Sequence, residues 1–135
     1  MSDWSTQRIG RYGERVAARF LRRAGFRIVA KNRHYGKNEL DLIAQSKKYI
    51  LFVEVKTRTF SQKPDAEQAR PVMAVDEAKR KRTVAAALAH LQKHPNERAP
   101  RFDVIEVYLD RCSGMKPFKI NHIENAFGRG GVIRR

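Results

Sequence analysis

At 135 residues, with 41% hydrophobic and 9% aromatic side chains, the chain holds enough apolar material for one domain with a real core, which excludes a disordered polymer. Lys and Arg number 29 against 14 acids, a net charge of +15, far more than solubility requires. The excess points to a polyanion, nucleic acid ahead of an anionic membrane surface, and by itself does not separate an enzyme from a structural RNA-binding protein.

Cys112 is the only cysteine, so no intrachain disulfide forms. The start, Met-Ser-Asp-Trp-Ser-Thr, lacks an apolar signal core, and no stretch approaches the roughly 20 apolar residues of a membrane span. These features predict a cytoplasmic protein with no membrane partner.

Along the chain, Ser5 or Thr6 caps a helix over Arg8 to Ala24, where Ile9, Tyr12, Val16, Phe20 and Ala24 recur at helical spacing and Gly25 supplies the stop. Phe26 to Asn32 reads as a strand, Arg33 to Asn38 as a turn containing Gly36, and Glu39 to Gln45 as a second strand. Ser46-Lys47-Lys48 is a hairpin connection into a third strand, Tyr49 to Arg58. Thr59 to Pro71 has two prolines and no periodicity, the mark of a long functional or mobile loop. An alanine-rich helix follows over Asp76 to His94, closed by Pro95; Arg101 to Leu109 is a strand, and Phe118 to Ile120 a candidate short last one. The expected fold is α/β in the order α-β-β-β-α-β, a mixed central sheet flanked by helices. Residues 1–127 form the domain, and 128–135, Gly- and Arg-rich, read as a disordered basic tail.

Two apolar runs carry misplaced charge. Glu39 and Asp41 interrupt the second strand, and Glu54 and Lys56 the third. Side chains two apart on a strand share a face, about 6.6 Å apart along it. Such charges are costly in a hydrophobic strand unless paired or bound to metal. Hard carboxylate oxygens suit a divalent cation, with the carbonyl of Val55 as a further donor. A lysine beside them suits water activation or charge neutralisation at phosphate. Glu14, next to Gly13 in the first helix, is placed to turn toward the sheet and complete such a site. The plainer alternative is a solvated ion pair between Glu54 and Lys56 on an edge strand.

Asp41 with Glu54-Val-Lys56 across a hairpin resembles the core of the PD-(D/E)xK, or restriction-endonuclease-like, nuclease superfamily. The stretches Gly10-Arg-Tyr-Gly-Glu-Arg-Val-Ala-Ala-Arg-Phe-Leu21, Gly25-Phe26, Asn32, Glu39-Leu-Asp-Leu-Ile-Ala44, Phe52-Val-Glu-Val-Lys-Thr-Arg58 and Arg101-Phe-Asp-Val-Ile105 more narrowly resemble the small, uncharacterised YraN-like proteins, themselves similar to Holliday-junction resolvases. The resemblance implies a restriction-endonuclease-like fold, with Asp41, Glu54 and Lys56 at the catalytic positions and Glu14 assisting metal. It implies Mg²⁺ or Mn²⁺ as cofactor, DNA as partner (branched or structured), and a homodimer for paired incisions. The family's Gly-Glu-x-Asp stands here as Asn38-Glu-Leu-Asp41, and Asn tolerates the positive φ that glycine would supply. The alternative function is a non-catalytic DNA- or RNA-binding protein that keeps the fold.

Elsewhere, Lys79 and Arg82, three apart on the second helix, share a face and suit one backbone phosphate, as does Arg58. His90 and His94 lack the intervening Glu or nearby Cys of a zinc site and read as an exposed pair. Asp103 reads as the partner of a neighbouring arginine, Cys112 as unreactive, and Trp4, Tyr12 and Tyr35 as packing residues.

Overall fold

The first hydrogen bonds of the chain are those its sequence asks for. In the computed structural model, which describes residues 4–61 and 77–127, Ser5 Oγ accepts the Arg8 N–H at 3.1 Å and opens helix α1, Thr6–Arg23. Gly25, at φ 98°, ends it: Phe26 N–H reaches back to the Leu21 carbonyl and Gly25 N–H to that of Arg22. Strand β1, Arg27–Tyr35, then pairs with β2, Asn38–Gln45, through a tight turn at Gly36 and Lys37. Gly36, at φ 62°, takes the left-handed position of that turn. Asn38 does not: among the described residues the positive-φ positions outside glycine are Asn32, Met115 and Asn125. The departure from the family glycine at Asn38 therefore falls on ordinary backbone.

Ser46 turns the chain into β3, Tyr49–Phe60, which runs on past Arg58. The residues after Ser61 in the expected loop, and the expected tail, lie outside the described residues. Helix α2, Glu77–Lys93, leads to β4, Ala99–Asp110, which lies parallel to β3 in unbroken register from Tyr49↔Ala99 to Phe60↔Asp110. A 3₁₀ turn, Arg111–Ser113, and the left-handed pair Gly114 and Met115 reverse the chain into β5, Lys116–Phe127. This last strand is far longer than Phe118 to Ile120. Its apolar residues, Phe118, Ile120, Ile123 and Ala126, mix with polar ones without a steady alternation, and pairing along β4 is what makes it a strand.

The sheet order is β1-β2-β3-β4-β5, antiparallel except for β3 with β4. Alternation along β3 builds a core on each face. Leu51 and Val53 pack with Ala17, Leu21, Ile105 and Val107 under α1, while Ile50 and Phe52 pack with Val84, Ala87 and Phe102 under α2. The close seating of α1 depends on Gly13. A Cβ there would lie 1.9 Å from Thr57 Oγ1, so only glycine lets the helix lie this near β3.

Asp103, fully buried on β4, takes a bidentate pair from Arg101 at 2.9 and 2.8 Å, as well as His122 at 2.7 Å and the Asn125 N–H at 2.9 Å. Burial pushes its pKa up, but these partners outweigh it and hold the carboxyl below the usual range. The histidine pair departs from expectation. His90 is 3% exposed, packed on Phe52 with its Nδ1 2.6 Å from Tyr35 Oη, and only His94 faces solvent. The i, i+4 spacing reaches from the buried stripe of α2 across to its rim, a difference that spacing alone does not reveal.

Candidate functional site

On the α2 side, β3 reads Ile50, Phe52, Glu54, Lys56, Arg58, and its parallel neighbour reads Phe102, Val104, Glu106, Tyr108 in register. Both strands thus change from hydrocarbon to charge toward their carboxyl ends, β3 at Glu54 and β4 one step later at Glu106, which pairs with Lys56. The carboxyl ends of parallel strands are where open α/β sheets place ligands.

Asp41 reaches this level from β2. The β2–β3 ladder pairs Gln45↔Ile50 through Leu42↔Val53 and stops there. Beyond it the Asp41 carboxylate substitutes for the backbone, with Oδ2 accepting the Val55 N–H at 2.9 Å. Alternation breaks at the same point. Leu40 and Ile43 both join the α2-side core, while Leu42 and Ala44 face α1. Asp41 is therefore held at the point where the two strands part. Its pKa is raised to about 7, first by burial and then by the Glu14 and Glu54 carboxylates, against the opposing Val55 hydrogen bond.

Glu54 is 3% exposed. Its Oε1 has two cations beside it, Lys79 Nζ at 2.5 Å and Lys56 Nζ at 3.5 Å. Its Oε2 is buried with no hydrogen-bond partner among the described residues. Glu14 comes from α1, one residue beyond Gly13, so the close helix approach brings it over the sheet. Asn32, itself at φ 49°, donates to Glu14 Oε1 at 3.0 Å. Burial raises the Glu14 pKa, with the Asn32 amide working against it.

The remaining charges divide. Lys79 turns toward Glu54, while Arg82 is exposed to solvent. Burial works to lower the Lys79 pKa, but the Glu54 carboxylate and Asp41 outweigh it and raise the ammonium above its usual value. Arg58 Nε donates to Glu106 Oε2 at 3.2 Å, and Glu106 is fully buried. Glu106 escaped the sequence reading, although it interrupts the apolar run Val104 to Leu109 just as Glu54 interrupts its own.

A divalent cation suits this donor set. Two carboxylates approach from adjacent strands, one with a buried oxygen that has no hydrogen-bond partner among the described residues, and Val55, whose carbonyl is the further donor, directly follows Glu54 and gives its N–H to Asp41. Among the described residues, no three His, Cys, Asp or Glu side chains converge as a ready-made metal cluster. A metal at Glu54 must therefore compete with Lys79.

One parallel strand pair within an otherwise antiparallel five-stranded sheet, with a helix on each face, defines a mixed α/β domain consistent with a restriction-endonuclease-like fold. The sequence relationships agree on what kind of chain this is. It belongs to the UPF0102 family, described as an uncharacterised protein family, whose family model matches residues 13–107. A UPF0102 protein of Chlorobium phaeobacteroides is 39% identical over 122 residues, covering 88% of this chain and 93% of that one. A second, from Caldanaerobacter subterraneus, is 38% identical over 128 residues, 94% of this chain and all of its own length. A third, from Coxiella burnetii, is 35% identical over 108 residues, 78% of this chain and 86% of the relative. Among the described residues no helix is long and apolar enough to cross a membrane.

Proposed function

We propose that this protein is a metal-dependent endonuclease of the PD-(D/E)xK type, acting on DNA of branched or otherwise structured form. The observation that carries the reading is the meeting of Asp41 and Glu54 where β2 and β3 part, with Lys56 on the Glu54 strand face and one Glu54 oxygen without a hydrogen-bond partner among the described residues. Asp41, Glu54 and the Val55 carbonyl would hold Mg²⁺ or Mn²⁺, with Glu14 supporting from α1. When bound, the cation supplies charge neutralisation at the phosphate and acidifies a water. Lys56 holds a proton-bearing ammonium beside the same carboxylate, where it orients water and opposes charge growing on the phosphate. Asp41, with its pKa near 7, passes between proton-bearing and metal-binding forms at neutral pH. Water adds across one P–O ester bond, leaving a phosphomonoester and a free hydroxyl. A four-way junction would call for a second copy of the chain, since paired incisions need two sites.

A non-catalytic nucleic-acid binder of the same fold is the rival reading. Two features favour it: Glu54 already has two lysines, and among the described residues no three-acid cluster is preformed. The test is cleavage of labelled single-stranded, duplex, flap and four-way-junction DNA in Mg²⁺ or Mn²⁺ by wild type, Asp41→Asn and Lys56→Ala. Metal-dependent cutting lost in both variants, with binding retained, is the expected result. Binding without cutting by any of the three proteins establishes the rival.

A further inference from the structure

Helix α1 carries six arginines and one acid, and the acid, Glu14, is turned to the sheet. Arg8, Arg11, Arg15, Arg19 and Arg22 are all exposed, at spacings of three and four residues. At about 100° per residue these five fall within an arc of roughly 80°, a single stripe down the outward face, and at ~1.5 Å per residue it is ~21 Å long. Outside that arc the helix is packed on the sheet, with Ala17 and Leu21 on the far side and Val16 and Ala18 on the flanks all buried. Aromatic rings support the stripe at its start: Arg8 lies 3.9 Å over Trp4 and Arg15 5.7 Å from the Tyr12 ring.

We propose that this outward face of α1 is a backbone-binding surface for nucleic acid, gripping successive phosphates. The proposal rests on the nucleic-acid reading above and names the surface that it lacks. Guanidinium matches phosphate with paired hydrogen bonds, and the stripe uses arginine at every position. Each strand of a duplex presents a phosphate about every 3.4 Å of axis, dense enough to meet all five side chains. A bilayer is the poorer fit. A membrane-surface helix buries its apolar face in lipid, and here that face is occupied by the protein's own core. The large exposed hydrophobics among the described residues, Val29, Tyr49 and Leu88, are not on α1.

The test is the salt dependence of duplex DNA binding between about 50 and about 200 mM salt, where the slope of log K counts phosphate contacts. The triple variant R15Q/R19Q/R22Q is compared with K47Q/K48Q/K93Q, which removes the same charge from other exposed positions. Thermal unfolding confirms that both are folded, and R15K/R19K/R22K serves as the charge-retaining version. The arginine-to-glutamine variant is expected to lose ~2.7 from the slope, at ~0.9 per contact, with the lysine variant keeping it. Equal slopes for the two neutral variants overturn the surface and leave the nuclease reading standing. Binding through the stripe without cleavage keeps the surface and removes the nuclease. Binding to phosphatidylglycerol vesicles in place of DNA overturns the nucleic-acid partner.

Discussion

The Lys79 ammonium of α2 lies 2.5 Å from Glu54 Oε1 on β3, so the second helix contributes a cation to the same carboxylate that Lys56 approaches along the strand. A divalent metal and this ammonium compete for one oxygen. Lys79→Met is therefore expected to tighten Mn²⁺ binding roughly fivefold, the scale of ~1 kcal/mol for a half-exposed ion pair. Calorimetric titration measures it. Unchanged or weaker Mn²⁺ binding would show that Lys79 does not compete there.

Asp41 gives the protein a specific pH dependence. Its folded pKa, about 7, lies above the ordinary 3.8, so between these values the folded chain binds more proton than the unfolded one. Stability from this group is therefore full below about 3.8 and declines as pH rises through about 7. Urea unfolding at a series of pH values should show this decline in wild type and a flatter profile in Asp41→Asn. Metal affinity should run the opposite way, rising through pH 7 as Asp41 ionises. Parallel profiles for the two proteins would contradict the assignment.

Gly13 is a packing requirement with a consequence for Glu14. Gly13→Ala gains ~1 kcal/mol of helix propensity and sets a methyl against Thr57, where overpacking costs ~1–3 kcal/mol. A net loss of stability is expected. Thr57→Ala in the same chain should recover part of it, because the nearest contact is the threonine hydroxyl. A double-mutant cycle by chemical denaturation reads this out, and strict additivity would mean that the two residues do not meet.

The hydrogen bond between Tyr35 and buried His90 is a second measurable link, tying β1 to α2. Tyr35→Phe should cost ~1–2 kcal/mol by leaving a buried ring nitrogen unpaired. Burial, then His94 and Arg33, lower the His90 pKa from 6.5. The unfolded chain thus takes up this proton first, and stability from His90 is full above about 6.5 and lost as pH falls below it. Denaturation of the histidine variant His90→Gln should lack that acid-side loss.

Local patterns that report on a single element were readable in the chain itself. Helical spacing with Ser5 and Gly25 marks α1, and alternation marks β2 and β3. Asp41, Glu54 and Lys56 stand out because charge in an apolar strand needs a partner, a rule that requires no coordinates. Family membership rests on the same stretches, now matched over residues 13–107. Tertiary structure decided what depends on distance between elements. Lys79 lies on Glu54 because α2 crosses over the sheet, and nothing in its spacing from Arg82 says so. His90 is buried through its rotation on α2, and β5 is a strand through hydrogen bonds to β4 that its irregular apolar spacing does not announce. The parting of β2 from β3 at Asp41 is likewise a matter of backbone path. Sequence periodicity records which face a side chain takes, whereas the meeting of charges is set by how the elements cross.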